Sequence, residues 1–256
     1  MNRWDRQCLL RATAASIAVW LLCVLVVAAT DEGGVPWAAR VGRALPTAPL
    51  AAAVAVGLTL SYARSRGELR ALEALGRSET RSARATVVGG VVPAFVLGGL
   101  ALCAIVDVSS FFPRTGASQV SVRIDDAGFV DDAHGVRISR EGELSRTAAQ
   151  AAAPERRLPD GAHLATGLTV TCAAFAMALA SSSRPGRRRR AWLVAAAAAA
   201  ITSLVCFQLS AASRIPAWLA IVPQLVVLVG WCVPDASGAR VGAARWWTKS
   251  LPRTAR

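Results

Sequence analysis

The chain has few of the residues that soluble and catalytic proteins rely on. Charged residues make up only 18% of its 256 residues, whereas hydrophobic residues make up 54%. Lys249 is the only lysine, and the sequence contains two histidines and one tyrosine. Soluble globular domains are rarely so apolar and so poor in charge. An ordinary water-soluble fold is therefore excluded, and a membrane has to account for the long apolar stretches.

The arrangements that usually mark catalysis or metal binding are also missing from the sequence. The six cysteines lie in or beside apolar stretches and form no CxxC pair, so neither a disulfide framework nor a zinc site is indicated. His134 and His163 are far apart, and we expect both to be solvated loop residues. The segment "GAARWWTKS" lacks the glycine that precedes lysine in a phosphate-binding loop. We predict no catalytic residue, no metal, no cofactor and no enzymatic activity for the chain itself.

Six stretches are apolar enough to be membrane spans. A helix that crosses the bilayer needs about 20 mainly apolar residues. An ionisable residue inside such a helix usually marks an ion or proton path, and none stands at a central position here. The predicted fold is an all-α polytopic membrane protein with six transmembrane helices arranged as 3+3. The predicted spans cover about residues 12–29, 49–63, 85–106, 164–181, 191–212 and 216–233.

The arginines that give the net charge of +13 cluster in alternate segments between the predicted spans. Arginines cluster before the first span and in residues 64–84, 184–190 and 240–256, whereas the segments between these clusters are nearly balanced. Loops on the cytoplasmic side of a membrane are enriched in arginine and lysine. The pattern predicts a multi-pass protein with both termini in the cytoplasm, and it gives no reason to expect a nucleic-acid partner.

The spans divide the chain into four parts. Residues 1–106 form a first transmembrane half, 107–163 a small periplasmic segment, 164–233 a second half, and 234–256 a basic tail. The periplasmic segment contains the alternating runs "SQVSVRIDDAGFV" and "HGVRISREGEL", which predict a small β-hairpin or β-rich cap. The glycines of "GGVVPAFVLGG" in the third span favour close packing between helices. Removal of the first span as a signal peptide is the alternative at the N-terminus.

The loop between the second and third spans has a pattern that a plain connector does not need. A short helix is expected to begin at Arg66, because Ser65 and Glu68 have the spacing of a capping box. Leucines at every third position give this helix an apolar side, a glycine can end it, and a serine can cap the next helix. It is either an interfacial helix whose leucines rest in lipid or a coupling helix that docks in a groove of a cytoplasmic ATPase. The candidate coupling residues, within 65–78, are Ser65, Arg66, Glu68, Leu69, Leu72, Leu75, Gly76 and Ser78.

This loop resembles that of the lipopolysaccharide export permeases, the LptF/LptG (YjgP/YjgQ) family, which reads roughly S-R-x-x-E-L-x-A-x-x-A-x-G-x-S. The segment "ALPTAPLAAAVAVGLTLSYARS" is similar to the second span of that family. The segment "SRIPAWLAIVPQLVVLVG" is similar to its last span, including Pro216, Trp218 and Pro223. The order of parts, three spans, an outer domain and three spans, agrees as well. The loop residues that fit the pattern are Ser65, Arg66, Glu68, Leu69, Ala71, Ala74, Gly76 and Ser78.

The resemblance implies a permease subunit of an ABC-type lipid exporter in the bacterial inner membrane. A cytoplasmic ABC ATPase dimer would hydrolyse ATP, and a second permease subunit, homologous or identical, would complete a cavity for the lipid. The lipid implied is lipopolysaccharide, which such permeases extract from the inner membrane for delivery to the outer membrane. A periplasmic bridge protein would receive it.

The chain departs from that family in its outer segment and in its cations. Residues 107–163 are far fewer than the family's β-jellyroll contains, so the chain resembles a reduced or divergent member. Asp31 and Glu32 stand where the family has lipid-contacting cations, which leaves Arg40 and Arg43 as the candidates for headgroup contacts. Two further readings stay open: a non-transporting membrane scaffold derived from such a permease, and a permease for another lipid.

Overall fold

The structure of the protein is a computed structural model. It describes residues 2–30, 36–112, 122–125, 128–131, 136–139, 144–146, 158–183 and 186–232. Within these ranges the chain is mostly helical, with short 3₁₀ turns at Leu45–Thr47, Ser109–Phe111 and Ala217–Ile221. The α-helices are α1 (Arg3–Thr30), α2 (Trp37–Ala44), α3 (Ala48–Ser65), α4 (Glu68–Ala74), α5 (Glu79–Leu102), α6 (Ala162–Ser182), α7 (Arg187–Ala211) and α8 (Val222–Cys232).

Five helical stretches among the described residues are long and apolar enough to cross a membrane. The second of them is longer than the sequence predicted, because α2, a 3₁₀ turn and α3 follow one another without a break over 29 residues. The last predicted span forms a 3₁₀ turn followed by α8, and this apolar stretch, Ala217–Cys232, is shorter than the other five. The five long stretches are Arg3–Thr30, Trp37–Ser65, Glu79–Leu102, Ala162–Ser182 and Arg187–Ala211.

The helices alternate in direction, so the arginines among residues 3–11, 64–84 and 187–190 gather at one end of the bundle. We call this the arginine-rich end: it holds the first turns of α1, α5 and α7, the last turns of α3, α6 and α8, and the whole of α4. Trp192 at the start of α7 and Trp231 at the end of α8 meet there edge to face, with ring centroids 5.1 Å apart. Trp37 and Trp218 lie at the opposite end and are largely exposed. Tryptophan at both ends of apolar helices is typical of proteins that sit across a membrane.

Helices α3, α5 and α6 form the centre of the bundle, and small residues bring them together. A Cβ on Gly98 of α5 would lie 2.8 Å from the Gly167 carbonyl oxygen, and a Cβ on Gly167 of α6 would lie 2.6 Å from the Gly98 carbonyl oxygen. The two backbones therefore approach each other too closely for any side chain at either position. This confirms the predicted packing role of Gly98, whereas nothing lies within 4 Å of the Cβ position of Gly99.

Helix α1 joins this centre mainly through its first half. Thr13 and Ser16 donate hydrogen bonds of 3.0 Å to the carbonyl oxygens of Gly89 and Gly90 on α5. A Cβ on Gly89 would lie 2.9 Å from the Leu9 Cα, so this pair of glycines also serves helix packing. Only 17% of the apolar stretch of α1 is buried, compared with 61% for the stretches that contain α3 and α6. Most of the second half of α1, apart from Trp20 and Val24, therefore faces outward from the chain.

At the end opposite the arginine-rich end, the segment after α5 folds back onto α2 and α7. Phe111 and Phe112 both contact the buried ring of Phe207 edge to face, at centroid distances of 5.3 and 5.2 Å. The backbone of Asp107 approaches Gly42 so closely that a Cβ on this glycine would lie 3.0 Å from the Asp107 carbonyl carbon. These contacts attach α2 to the rest of the bundle.

Four short strands lie between α5 and α6 in the sequence, in agreement with the predicted β-rich segment. They are antiparallel in the order β1-β2-β3-β4. Phe129 on β2 is opposite Ile138 on β3, and both side chains are exposed. The strands are β1 (Val122–Asp125), β2 (Gly128–Asp131), β3 (Val136–Ser139) and β4 (Leu144–Arg146).

The expectation of solvated loop histidines was wrong for His163. This residue lies in the first turn of α6 and is half-buried, with Nδ1 3.0 Å from the carbonyl oxygen of Ala101 near the end of α5. The first turn of α6 therefore lies beside the end of α5. His134 lies outside the described residues.

Candidate functional site

Helix α4 begins in a different way from the predicted capping box. Helix α3 continues through Ser65, whose hydroxyl donates a 2.8 Å hydrogen bond to the Tyr62 carbonyl oxygen one turn earlier. The chain then turns at Gly67, which has a φ of 73°, and α4 starts at Glu68. A left-handed conformation is accessible to glycine at little cost. The prediction that Ser65 caps a helix from Arg66 was therefore wrong, because the second span reaches further than expected and uses Ser65 and Arg66 in its own end.

The end of α4 agrees with the prediction. Gly76 has a φ of 81°, and its N–H donates to the Glu73 carbonyl oxygen while the N–H of Arg77 donates to the Leu72 carbonyl oxygen. These two bonds form the usual glycine-terminated helix end. Ser78 then caps α5 by accepting a hydrogen bond from the N–H of Arg81 at 3.4 Å. The chain thus stops one helix and starts the next within four residues.

The three leucines of α4 do not form one exposed face. Leu69 is 4% exposed and belongs to the apolar core, and Leu72 is half-buried against that core. Leu75, at the end of the helix, is 83% exposed. The prediction that all three leucines face a partner was therefore wrong, because α4 uses the first two to attach itself to its own bundle. The exposed surface of α4, which we call the α4 face, consists of Arg70, Ala71, Glu73, Ala74 and Leu75.

Side chains from the first turn of α1 hold α4 in place. The indole Nε1 of Trp4 donates a 3.2 Å hydrogen bond to Oε2 of Glu68, and the guanidinium of Arg77 pairs with the carboxylate of Asp5. The same guanidinium lies over the Trp4 ring, 5.6 Å from its centroid. These contacts, which we call the α1–α4 clamp, join positions more than 60 residues apart in sequence. Asp5 is the only acidic residue in the first 30, and this isolated charge among arginines is the signal that could have indicated the clamp.

A second set of polar contacts fixes the ends of α3, α5 and α6 together. The guanidinium of Arg64 pairs with the carboxylate of Glu79 at 2.8 Å and approaches the carbonyl oxygen of Ser183 at 3.4 Å. Both ion-pair partners are mostly buried, with side chains 22% and 12% exposed. The helices on either side of α4 are therefore joined to each other and to the end of α6.

A shallow groove of about 520 Å³ lies beside the α4 face. Its walls come from the first turn of α1, from the turn after α4 and from the start of α5. They are mainly polar, with the exposed side chain of Leu75 as the apolar contribution. The lining residues are Asn2, Asp5, Leu75, Gly76, Arg77 and Arg81.

The predicted headgroup contacts, Arg40 and Arg43, lie together on α2 at the opposite end of the bundle. The guanidinium of Arg40 lies over the Trp37 ring at 5.2 Å from its centroid and is half-buried, whereas Arg43 is exposed. Helix α2 is held there because Ser110 donates a 3.2 Å hydrogen bond to the Gly42 carbonyl oxygen. The structure thus brings the two arginines together but keeps them far from the coupling residues of α4.

The two prolines of the last predicted span lie near the start of its helix. Pro216 has an extended ψ of 146° and precedes the 3₁₀ turn, and Pro223 lies in the first turn of α8. Proline is favoured in a first turn because its missing N–H would have no helical partner there. Trp218 is 56% exposed beside them. The two prolines thus lie at the start of the last helix, and the structural role that the resemblance implies for Trp218 stays a prediction.

The described residues contain no group of three or more histidine, cysteine or acidic side chains that could hold a metal ion. Comparison of the chain with known families, with curated proteins and with solved structures finds no match in any of the three.

Proposed function

We propose that the chain is the transmembrane permease subunit of an ABC-type lipid exporter. The observation that carries the proposal is α4, a seven-residue helix that is held by the α1–α4 clamp and presents an exposed face at the arginine-rich end. A helix that merely rests in lipid does not need two polar contacts to α1 and a rigid base on α3, α5 and α6. A cytoplasmic ABC ATPase dimer that docks on the α4 face would transmit its closure to these helices. The chain itself then hydrolyses nothing.

The proposed topology places the arginine-rich end in the cytoplasm. Six spans cross the bacterial inner membrane, the sixth being α8 with its preceding 3₁₀ turn, and both termini are cytoplasmic. The net charge and its concentration at one end of the bundle support this orientation. Treating an Arg70→Cys variant in intact cells with a membrane-impermeant thiol reagent tests it. Labelling above the background of the unchanged protein would contradict the proposal.

The proposed cargo is a lipid with an anionic headgroup, lipopolysaccharide first among the candidates. The support is the pair of cations on α2, Arg40 and Arg43, beside the outward-facing second half of α1. A second permease subunit, homologous or identical, would pack against that surface and close the cavity, and a periplasmic bridge protein would accept the lipid. Mass spectrometry of lipids that remain bound to the purified protein distinguishes lipopolysaccharide from another lipid.

One observation favours the alternative of a non-transporting scaffold. The described strands contain only three or four residues each, and such a sheet is small for a domain that must hand over a large lipid. A scaffold would keep its partner contacts but show no lipid-dependent ATP hydrolysis in the purified complex.

The proposal is tested by purifying the full-length chain from its own host and measuring ATP hydrolysis in the eluate. Leu75→Asp removes an exposed leucine whose full burial in a partner contributes about 1.5–3 kcal/mol. We expect the co-purified ATPase activity to fall roughly tenfold or more. The matched control is Thr80→Asp, which adds the same charge to an exposed position in the first turn of α5, where a carboxylate is favourable. Equal activity in the eluates of the Leu75→Asp variant and the unchanged chain would show that α4 only rests on lipid.

A further inference from the structure

Four consecutive arginines open α7, and one of them turns inward. Arg187, Arg188 and Arg190 are exposed, whereas Arg189 is half-buried. Its Nη2 lies 3.5 Å from the point where a Cβ on Gly57 of α3 would stand. The guanidinium therefore reaches from α7 to α3 and lies beside the Gly57 notch, which is the space left by the missing side chain of this glycine.

The Arg189 guanidinium has no anionic partner among the described residues. Its Nε is buried and has no hydrogen-bond partner there. An arginine cannot lose its charge by deprotonation, and a buried charge without a counter-charge is costly. Arg64, seven residues after Gly57 and thus on the same side of α3, shows the contrast, because it is neutralised by Glu79 and contacts the Ser183 carbonyl oxygen.

The position of Arg189 suits a lipid ligand better than a soluble ion. Gly57 precedes the end of α3 by eight residues, or about 12 Å of helix, which places it below the polar end of the bundle. Val54 and Leu58 on the same helix are exposed, and so is Val194 on α7. These apolar side chains lie on the outer surface of the same two helices, which would contact acyl chains.

We infer that Arg189 and the Gly57 notch form a binding site for a phosphate group, that of an anionic phospholipid in the leaflet next to the arginine-rich end. The planar guanidinium fork matches the geometry of a phosphate, and basic pockets between transmembrane helices commonly bind lipid headgroups. The site lies at the opposite end of the bundle from Arg40 and Arg43 and does not depend on the proposed ATPase. Its lipid is a bound component that fastens α7 to α3.

The test uses the full-length chain in nanodiscs of phosphatidylcholine, with or without phosphatidylglycerol. Thermal unfolding gives the stability, and native mass spectrometry counts the retained phosphatidylglycerol. We expect phosphatidylglycerol to raise the melting temperature of the unchanged protein and of the control Arg190→Gln. Arg189→Gln should lose most of that increase and retain about fivefold less phosphatidylglycerol, which corresponds to about 1 kcal/mol for one cation near a membrane surface.

A second variant keeps the inference testable if Arg189→Gln does not fold. Gly57→Leu fills the notch without removing a charge and should reduce phosphatidylglycerol retention to the same extent. Equal retention by Arg189→Gln, Gly57→Leu and Arg190→Gln would overturn the site. The lipid assignment would be overturned if inorganic phosphate, added to discs of phosphatidylcholine alone, produced the same rise in melting temperature.

Discussion

Helices α1 and α6 are both apolar enough to cross a membrane, yet they hold opposite places in the bundle. Of the apolar stretch of α1, 17% is buried, whereas 61% of that of α6 is buried. The difference follows from side-chain size: α6 is rich in alanine and threonine, and the second half of α1 is rich in leucine and valine. Between membrane helices, small residues permit close backbone contact. Large apolar side chains gain no hydrophobic free energy on moving from lipid into protein.

The largest effect on stability is expected when a side chain is introduced where the closely packed helices α5 and α6 cross. Gly98→Val puts methyl groups against the Gly167 carbonyl oxygen, which is 2.8 Å from the Cβ position. We expect a loss of about 3 kcal/mol, since overpacking a tight contact forces the backbones apart. Unfolding in mixed detergent micelles measures it. Gly99→Val is the matched control, because its Cβ position is open, and an equal loss in both variants would show that the crossing does not depend on Gly98.

A smaller effect on the free energy of unfolding is expected when a buried leucine is replaced by alanine, and a still smaller one when an exposed leucine is replaced. Leu60 on α3 is fully buried, and Leu22 on α1 is 61% exposed. Leu60→Ala leaves a cavity and should cost about 2 kcal/mol, the lower end for such changes, because the leucine loses packing but is not transferred from water. Leu22→Ala should change the free energy of unfolding by less than about 0.5 kcal/mol. A large loss for Leu22→Ala in the purified monomer would mean that α1 is packed more tightly than described here.

The smallest effect concerns the hydroxyl groups that join α1 to α5. Ser16→Ala removes a buried hydrogen bond to the Gly90 carbonyl oxygen, and such bonds between membrane helices contribute about 0.6 kcal/mol. Thr30→Ala removes only local bonds to the last turn of α1 and should leave the unfolding curve unchanged. If the two variants unfold alike, the attachment of α1 rests on its glycine contacts and on the α1–α4 clamp.

Much of the helical fold could be predicted from hydropathy and charge alone. The apolar runs predicted the five long helices, because the membrane sets their length and composition. The true start of the second stretch, at Trp37, escaped prediction because its first turns carry arginines on one side. Of the glycines predicted to pack, the structure finds close contacts at Gly89, Gly90 and Gly98. The sequence could not show that the Cβ position of Gly99 has no neighbour within 4 Å.

The candidate site was predicted less well, because its contacts join residues that are far apart in the sequence. Local signals worked where the structure is local: Gly76 ends α4 and Ser78 caps α5. Periodicity identified an apolar side of α4 but could not tell whether its own bundle or a partner covers it. The answer depends on Trp4 and Asp5, which lie more than 60 residues away, and no spacing rule within the loop includes them.

The contact between His163 and Ala101 has a consequence for how this architecture can change. It ties the first turn of α6 to the last turn of α5, so these two helices meet at the end of the bundle where Phe111 and Phe112 pack against α7. An insert attached by two adjacent ends can grow or shrink without repacking the helices, since doubling a flexible connection costs only about 0.6 kcal/mol. The junction of α5 and α6 can thus carry connecting segments of different lengths, and replacing residues 113–157 with a short glycine-serine linker should leave a bundle that still folds.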